Sequence, residues 1–264
     1  MANGRAEAVR WLRRGLALRG AAERAGLVAL DAMFPPQCPI TGRPVDQAGA
    51  IAPEAWREVR FLEPPWCETC GAPFLKTPAA GIVCGACAAG DFRFDVARAA
   101  FAYDPASARL VTALKHGDRT ELAAPLARFV ARAGRDLWAD VDLVAPAPLH
   151  PVRQWRRKFN QAHEIGRRVA EIIEKPYEPT LLKRVKATPP QQSLSRAQRL
   201  RNVTGAFRVA SPLMVKGARV AVIDDVLTTG ATANAMAKAL KRAGARSVAI
   251  VTAARVVKGG DAAI

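Results

Sequence analysis

Three apolar runs in the second half of the chain, VDLVAPAPL (141–149), ARVAVID (218–224) and RSVAIVTAARV (246–256), lack the alternation of a half-exposed strand. Continuous runs of this kind fit strands covered on both faces, as in a parallel sheet. Between and before them the apolar positions recur at helical spacing, in ELAAPLARFVARAGRDL (121–137), NQAHEIGRRVAEIIEK (160–175) and TANAMAKALKRAGA (232–245). Strands alternating with helices predict an α/β domain with a parallel sheet flanked by helices. The character changes near residue 95: before it prolines and glycines are frequent and all five cysteines occur, as in a small, loop-rich unit with a poor core. No internal repeat of the whole pattern is evident.

The first 33 residues are arginine-rich, and Val9, Leu12 and Leu16 recur at helical spacing, which predicts a basic amphipathic helix. Glu7, Glu23 and Asp31 argue against a transit peptide, and no apolar core with a small-residue cleavage site marks a secretory signal. Because no apolar run reaches the roughly 20 residues of a membrane span, a cytoplasmic protein without stable membrane insertion is expected. Charge narrows the partners. The 264 residues carry 40 Lys and Arg against 23 Asp and Glu, a formal net charge of +17, which favours nucleic acid, a membrane surface or a small phosphorylated molecule. Aromatic residues make up only 6% of the chain and do not interleave with the basic loops, so a stacking platform for bases is weakly supported.

Within CETCGAPFLKTPAAGIVCGAC, Cys67 and Cys70 form one CxxC knuckle, and Cys84 and Cys87 a second. Two thiolate pairs satisfy tetrahedral Zn²⁺ and leave no open position, so the site is expected to be structural. Iron–sulfur ligation and degenerate thiols are the alternatives; a disulfide framework conflicts with a cytoplasmic chain. Cys38, in PPQCPITGRPV, sits in a similar context, but Thr41 stands where a second cysteine would be, and an ordinary buried thiol is expected there.

The most informative stretch is VAVIDDVLTTGATANAMAKAL (220–240): an apolar strand, the paired carboxylates Asp224 and Asp225, a small-residue loop, then a helix. Ligands of open α/β sheets bind beyond the carboxyl ends of strands. The free N–H groups and positive dipole end of the following helix favour a phosphate, which small side chains allow to approach. Threonine hydroxyls add donors. The aspartates would repel a phosphate and suit the hydroxyls of a sugar or a Mg²⁺ carried by a polyphosphate. Gly230 is followed by Ala231 where a P-loop needs lysine, and a single glycine is too few for a dinucleotide fingerprint.

VAVIDDVLTTGAT resembles the 5-phosphoribosyl-1-diphosphate (PRPP) motif of the type I phosphoribosyltransferases. The resemblance implies that Asp224 and Asp225 contact ribose hydroxyls and that Leu227, Thr228, Thr229, Gly230, Ala231 and Thr232 form the loop for the 5-phosphate, with Mg²⁺ accompanying the ligand. The order of the cysteine knuckles, ALKHGDRTELA, APAPLHPVRQWRRKFNQA, RVKATPPQQSLSRAQRLRNVTGAF and this loop is similar to that of the ComF-like proteins, associated with competence for DNA uptake. The organisation then implied is a basic helix over 1–33, a zinc-binding module over 34–95 and a phosphoribosyltransferase-like domain over 96–264. Two departures stand out: Thr41 breaks the first knuckle, and APAPLH replaces the expected PVPLH.

Arg153, Arg156, Arg157 and Lys158 follow a predicted strand, and Lys115 lies in LKHGDR; all are candidates for the pyrophosphate end of such a ligand. The polar, proline-broken stretch 186–201 reads as a lid, with Gln192 and Arg196 as its candidate contacts. None of His116, His150 and His163 has an evident partner at motif spacing, and no catalytic residue is assigned. Two functions from different classes remain open: a PRPP-dependent phosphoribosyltransferase of unknown acceptor, and a non-catalytic DNA-uptake accessory binding single-stranded DNA or a helicase partner. A PRPP-sensing regulator is a third.

Overall fold

The structure, a computed structural model, describes residues 35–76, 81–90, 92–116, 119–149, 159–186 and 205–257. Six strands and four longer helices are present among them: β1 (Val96–Ala102), α1 (Pro105–His116), α2 (Ala123–Ala133), β2 (Leu143–Pro146), α3 (Gln161–Ile172), β3 (Leu182–Arg184), β4 (Phe207–Val209), β5 (Arg219–Leu227), α4 (Ala231–Arg242) and β6 (Ser247–Arg255). Four strands make one parallel sheet in the order β1-β6-β5-β2, and β3 and β4 form a separate antiparallel pair.

The predicted double coverage of the sheet is what the packing shows. On β5 and β6, Ala221, Ile223, Ala249, Val251 and Ala253 face one core, which they share with α1, α2 and α3. Val220, Val222, Val248 and Ile250 alternate into a second core with α4, β3 and β4. Each fully buried aliphatic side chain contributes about 1.5–3 kcal/mol, so two such faces fix the strand register. β1, VARAAFA, is alanine-rich and has little strand propensity of its own; parallel pairing with β6 and burial on both faces make it a strand. Helix α1 begins at a reciprocal cap: the Ser107 N–H donates to Asp104 Oδ1 at 2.8 Å and the Asp104 N–H to Ser107 Oγ at 3.0 Å. Asn160 caps α3 by accepting from the Ala162 N–H at 3.0 Å.

Residues ahead of β1 fold onto both faces of the sheet. Trp56 and Phe61 pack with Phe129 of α2 and Phe101 of β1, with ring centroids 4.8–5.4 Å apart in the closest pairs. Cys67, Cys70, Cys84 and Phe94 belong to the opposite core. Leu62 and Ala102 N–H groups bond across to Ala100 and Arg60 carbonyls, so this segment also covers the free edge of β1. At the far edge, Val144 of β2 is bracketed by bonds to Pro176 and Glu178.

The four sulfurs of Cys67, Cys70, Cys84 and Cys87 lie within 4.8 Å of one another, with close pairs at 3.5 and 3.6 Å. Tetrahedral zinc with bonds of about 2.3 Å separates its sulfurs by about 3.8 Å, so the set fits that ion with only small shifts of the side chains. Amides of Cys70 and Cys84 point at the Cys67 sulfur. Crowding alone holds the Cys67 thiol well below its usual range, through hydrogen bonds from Cys70 and then Cys87, while Cys70 is pushed up to about 11 and Cys87 higher still, each chiefly by the Cys67 contact. Four thiols this close cannot all ionise without a cation among them.

PPQCPITGRP repeats the backbone of PPWCETCGAP, in line with the knuckle-like context read for Cys38. Cys38 N–H donates to Arg43 O and Gly42 N–H to Cys38 O, as Cys67 N–H donates to Ala72 O and Gly71 N–H to Cys67 O. Short bridges Gln37–Pro44 and Trp66–Pro73 close both turns. With Thr41 in the second ligand place, Cys38 is 1% exposed and sits in the apolar core instead. Burial pushes its thiol up, yet bonds from the Thr41 hydroxyl and from the amides of Thr41, Ala52 and Ile40 outweigh this and lower it, because those donors still point where a zinc thiolate would be.

The Cys67–Cys70 knuckle is fastened to β1. Gly71 has φ +67°, and a Cβ there would lie 2.6 Å from the Ala97 carbonyl oxygen. Arg98, 3% exposed, pairs with Asp136 at 2.8 Å, donates to the Glu68 carbonyl and lies over the Trp66 ring. Two predictions follow from this anchoring. Purified protein should contain one Zn²⁺ per chain by elemental analysis, and a Cys67→Ser/Cys84→Ser variant should lose it; undiminished zinc in that variant would refute the ligand set. Gly71→Ala should cost on the order of 1–3 kcal/mol in denaturant unfolding, and Gly42→Ala less, because a Cβ at Gly42 meets nothing within 4 Å.

Candidate functional site

β5 keeps β6 beside it as far as Leu227, whereas its last partner on β2 is Pro146 at Ile223, with Ala147 N–H donating to the Ile223 carbonyl. The acidic pair therefore lies within the strand and not at its end, as the apolar run had suggested. Beyond Ile223 the β2 side of β5 has no pairing strand among the described residues, which leaves Asp224 and Asp225 on an unpaired strand edge past the end of β2, where ligands of open α/β sheets bind. Both side chains are half-buried.

The two carboxylates have different surroundings. Asp225 pairs with Lys115 Nζ at 2.8 Å, and its N–H donates to Asp224 Oδ1 at 2.8 Å. Asp224 has no such ion pair among the described residues; burial first and Asp225's charge second push its carboxyl up to about 7, against the weaker pull of the Asp225 N–H and then of Lys115 and Arg184. A carboxyl shifted toward neutrality by burial and a like-charged neighbour is a common feature of ligand sites. Lys115 was a candidate for the pyrophosphate end of a ligand; here it comes from the last turn of α1 to the acidic pair. Arg184 was not anticipated. Its charge acts on Asp224 from β3, whose pairing with β4 sets its guanidinium 5.5 Å from the Phe207 ring centre.

After Leu227 the chain turns through Thr228 and Thr229 into α4, with Gly230 as its first flanking residue at φ +77° and ψ 0°. The start of the helix leaves its first N–H groups without intrahelical acceptors. Thr229 Oγ1 is buried and has no hydrogen-bond partner among the described residues. A buried hydroxyl left unmatched costs roughly 1–3 kcal/mol, and in this loop an oxyanion would satisfy it. Gly230 has a reason beyond access for an anion: a Cβ there would meet Phe92 Cε1 at 2.6 Å, and the left-handed backbone disfavours a side chain in any case.

Asp224, Asp225, Lys115 and the loop from Leu227 through Thr232 are thus brought together by β5, α1 and α4. Arg153, Arg156, Arg157, Lys158, Gln192, Arg196, His150 and the N-terminal helix lie outside the described residues. His163 bonds through Nδ1 to the Tyr177 hydroxyl at 3.0 Å, a structural pairing on α3. A separate cleft of about 680 Å³ lies between the outer face of α4 and β4, lined in part by Arg93, Arg208, Lys238 and Arg242. It touches Ala231 but contains neither aspartate. Those four cations have no ion-pair partner among the described residues.

No helix among the described residues is long and apolar enough to cross a membrane. The chain matches the double zinc ribbon family over residues 29–88 and the phosphoribosyl transferase domain family over 162–262. It is 33% identical over 189 residues to the DNA utilization protein YhgH of Salmonella typhimurium, covering 70% of this chain and 81% of that one. To Competence protein F of Haemophilus influenzae it is 36% identical over 136 residues, 49% of this chain and 59% of that protein. Among solved structures, a glutamine PRPP amidotransferase from B. subtilis, complexed with ADP and GMP, aligns at 20% identity and a TM-score of 0.35 over 50% of this chain and 27% of its own. A zinc-ribbon segment followed by a phosphoribosyltransferase-like parallel sheet, in a chain related over 70% of its length to the DNA utilization protein and over about half to the competence protein, places it in the ComF-like competence protein family.

Proposed function

We propose that the site beside the unpaired edge of β5 binds PRPP, or another ribose 5-phosphate, and that its reaction is transfer of the phosphoribosyl group to a nitrogen acceptor. The observation that carries this reading is the unmatched Thr229 hydroxyl in a loop that joins the acidic pair directly to the start of α4. The loop would take the 5-phosphate on backbone N–H groups and threonine hydroxyls. Asp224 and Asp225 would accept from the ribose hydroxyls, with Lys115 holding Asp225 in place. In the reaction the acceptor nitrogen bonds to C1 while the C1–O bond breaks, its electron pair leaving with pyrophosphate, and the nitrogen then loses a proton. The carboxylate pair suits a Mg²⁺ carried by the ligand, whose charge would offset that of the leaving pyrophosphate. Cationic residues outside the described segments, Arg153, Arg156, Arg157 and Lys158, are the proposed contacts for pyrophosphate, with Gln192 and Arg196 in a lid.

A second reading rests on a different feature. The cleft beside α4 presents Arg93, Arg208, Lys238 and Arg242 together, and a relative is named for DNA utilization. Single-stranded DNA, in a cytoplasmic competence pathway with a helicase partner, is the polyanion that this reading assigns to it. The two readings use separate surfaces, and one protein can combine them.

The carboxyl of Asp224 makes the first reading testable by pH. Its folded value, about 7, lies above the unfolded value near ~4. Between those values only the unfolded chain is charged at this residue, so the unliganded protein loses stability as pH rises through the window and reaches a floor above it. Asp224→Asn should therefore raise the melting temperature of unliganded protein, more at pH 8 than at pH 5. Binding runs the other way. A ribose hydroxyl donates to the charged carboxylate, so PRPP affinity measured by calorimetry with Mg²⁺ should increase as pH rises through 7. In Asp224→Asn that added increase should vanish, and affinity at pH 8 should fall by about 1.5–3 kcal/mol. Protonation of the ligand's own phosphate is common to both proteins and cancels in the comparison. Identical pH profiles, or no PRPP binding by the wild type, would overturn the reading. For the cleft, Arg208→Ala/Arg242→Ala should lower the slope of log affinity against log salt for oligo-dT by about 0.7 per lost phosphate contact, read by fluorescence anisotropy. An unchanged slope would remove DNA from the cleft.

A further inference from the structure

Between the four-cysteine cluster and β1, residues Phe92 to Asp95 run along α4 as a strap. At its start the Phe92 ring occupies the space over Gly230 where a Cβ would come within 2.6 Å of Cε1. Next, the Arg93 N–H donates to Asn234 Oδ1 at 2.7 Å, in the first turn of α4. Phe94 stacks on Phe92 with centroids 4.9 Å apart, and is buried in the same core as Cys67, Cys70, Cys84 and Ala231. Asp95 ends the strap: its N–H donates to the Val248 carbonyl, its carboxylate accepts from the Val248 N–H at 2.7 Å, and Lys241 Nζ pairs with it at 2.8 Å. A second tie runs from the knuckle to the same end of the sheet, where Arg255, paired in register with Leu227, donates to the Cys70 carbonyl.

We propose that Phe92 is a positioning residue for the phosphate loop, and that the zinc-bound cysteine cluster, through the 92–95 strap, holds Gly230 and the start of α4 in the geometry that receives the anion. The inference rests on the ribose-phosphate reading of that loop. Its physical basis is that Gly230 supplies no side chain to hold its own left-handed conformation. Glycine is the residue with the most backbone freedom to lose, so a partner outside the loop must restrain it. Phe92 is that partner on one side and the Asn234–Arg93 bond on the other. Both belong to the segment that follows the cysteine cluster, and its Phe94 packs in one core with Cys67, Cys70 and Cys84, so the order of the loop depends on a metal site that touches no ligand. Reciprocity follows: whatever tightens the loop also favours the ordered strap, and ligand and zinc strengthen each other's binding.

The test compares wild type, Phe92→Ala and Phe92→Leu, all with the zinc ligands intact and with zinc content verified. Hydrogen exchange across residues 228–236 reads loop order without any ligand, and PRPP calorimetry reads its consequence. Phe92→Ala should speed exchange in that window and weaken PRPP roughly tenfold, within the usual range of coupling between sites. Phe92→Leu, which keeps apolar bulk over Gly230, should restore most of both. Zinc removal from the wild type by a chelator should speed exchange in the same window. Unchanged exchange at 228–236 in Phe92→Ala, or a loss in Phe92→Leu as large as in Phe92→Ala, would overturn the proposal. Should the wild type fail to bind PRPP, the ribose-phosphate reading falls, while the exchange data still decide whether Phe92 orders the loop.

Discussion

The unequal pairing of β5 governs the rest of the molecule. On one side β6 stays hydrogen-bonded to it through Leu227; on the other, β2 ends at its partner Ile223. With β6 still bonded along β5 and β2 gone, Asp224 and Asp225 sit half-buried on a strand edge that no other strand covers among the described residues. The same asymmetry lets α1 bring Lys115 against Asp225 and the β3–β4 pair bring Arg184 toward Asp224. Keeping Asp224 in that place has a cost, visible in a carboxyl that titrates near neutrality in the unliganded protein. Such unfavourable placement persists where a ligand relieves it.

The cysteine-bearing segment is built into this sheet on both faces. Its aromatic part joins the core of α2 through Trp56 and Phe61, and its knuckles join the core of α4 through Phe94 and the cysteines. Arg98 shows how close the union is. A guanidinium 3% exposed on β1 is satisfied by Asp136 after α2 and by the Glu68 carbonyl within the knuckle. Removing either neighbour would leave a buried charge short of partners, which costs several kcal/mol. The former ligand place at Thr41 illustrates a different solution to the same need for a fixed turn. There the knuckle backbone is retained while Cys38 has become part of an apolar core, so packing does what a second metal would have done.

Much of this was legible in the chain because it follows from local pattern. Unbroken apolar runs implied strands covered on both faces, and β2, β5 and β6 are those strands. Paired CxxC spacing implied four converging sulfurs, since a knuckle sets both thiols of a pair within a few residues of backbone. Asp224, Asp225 and the loop through Thr232 were recognisable because strand, carboxylates, small residues and helix start are consecutive in sequence. The alanine-rich β1 escaped notice, because its strand character comes from β6 and burial and not from its own residues. The knuckle-like context of Cys38 was legible too, because its prolines, cysteine and glycine keep the spacing of the Cys67 knuckle.

What tertiary structure alone decided are the relations between segments distant along the chain. No spacing rule could put Lys115 on Asp225, Arg184 near Asp224 or Phe92 over Gly230, because each contact depends on how separate elements cross and pack. The sequence by itself determined the chemistry available, namely two carboxylates before a small-residue loop and four thiols in two knuckles. Their titration, their cationic neighbours and the restraint on the loop came from the fold, since burial and Coulomb interactions depend on distance in space and not on separation along the chain.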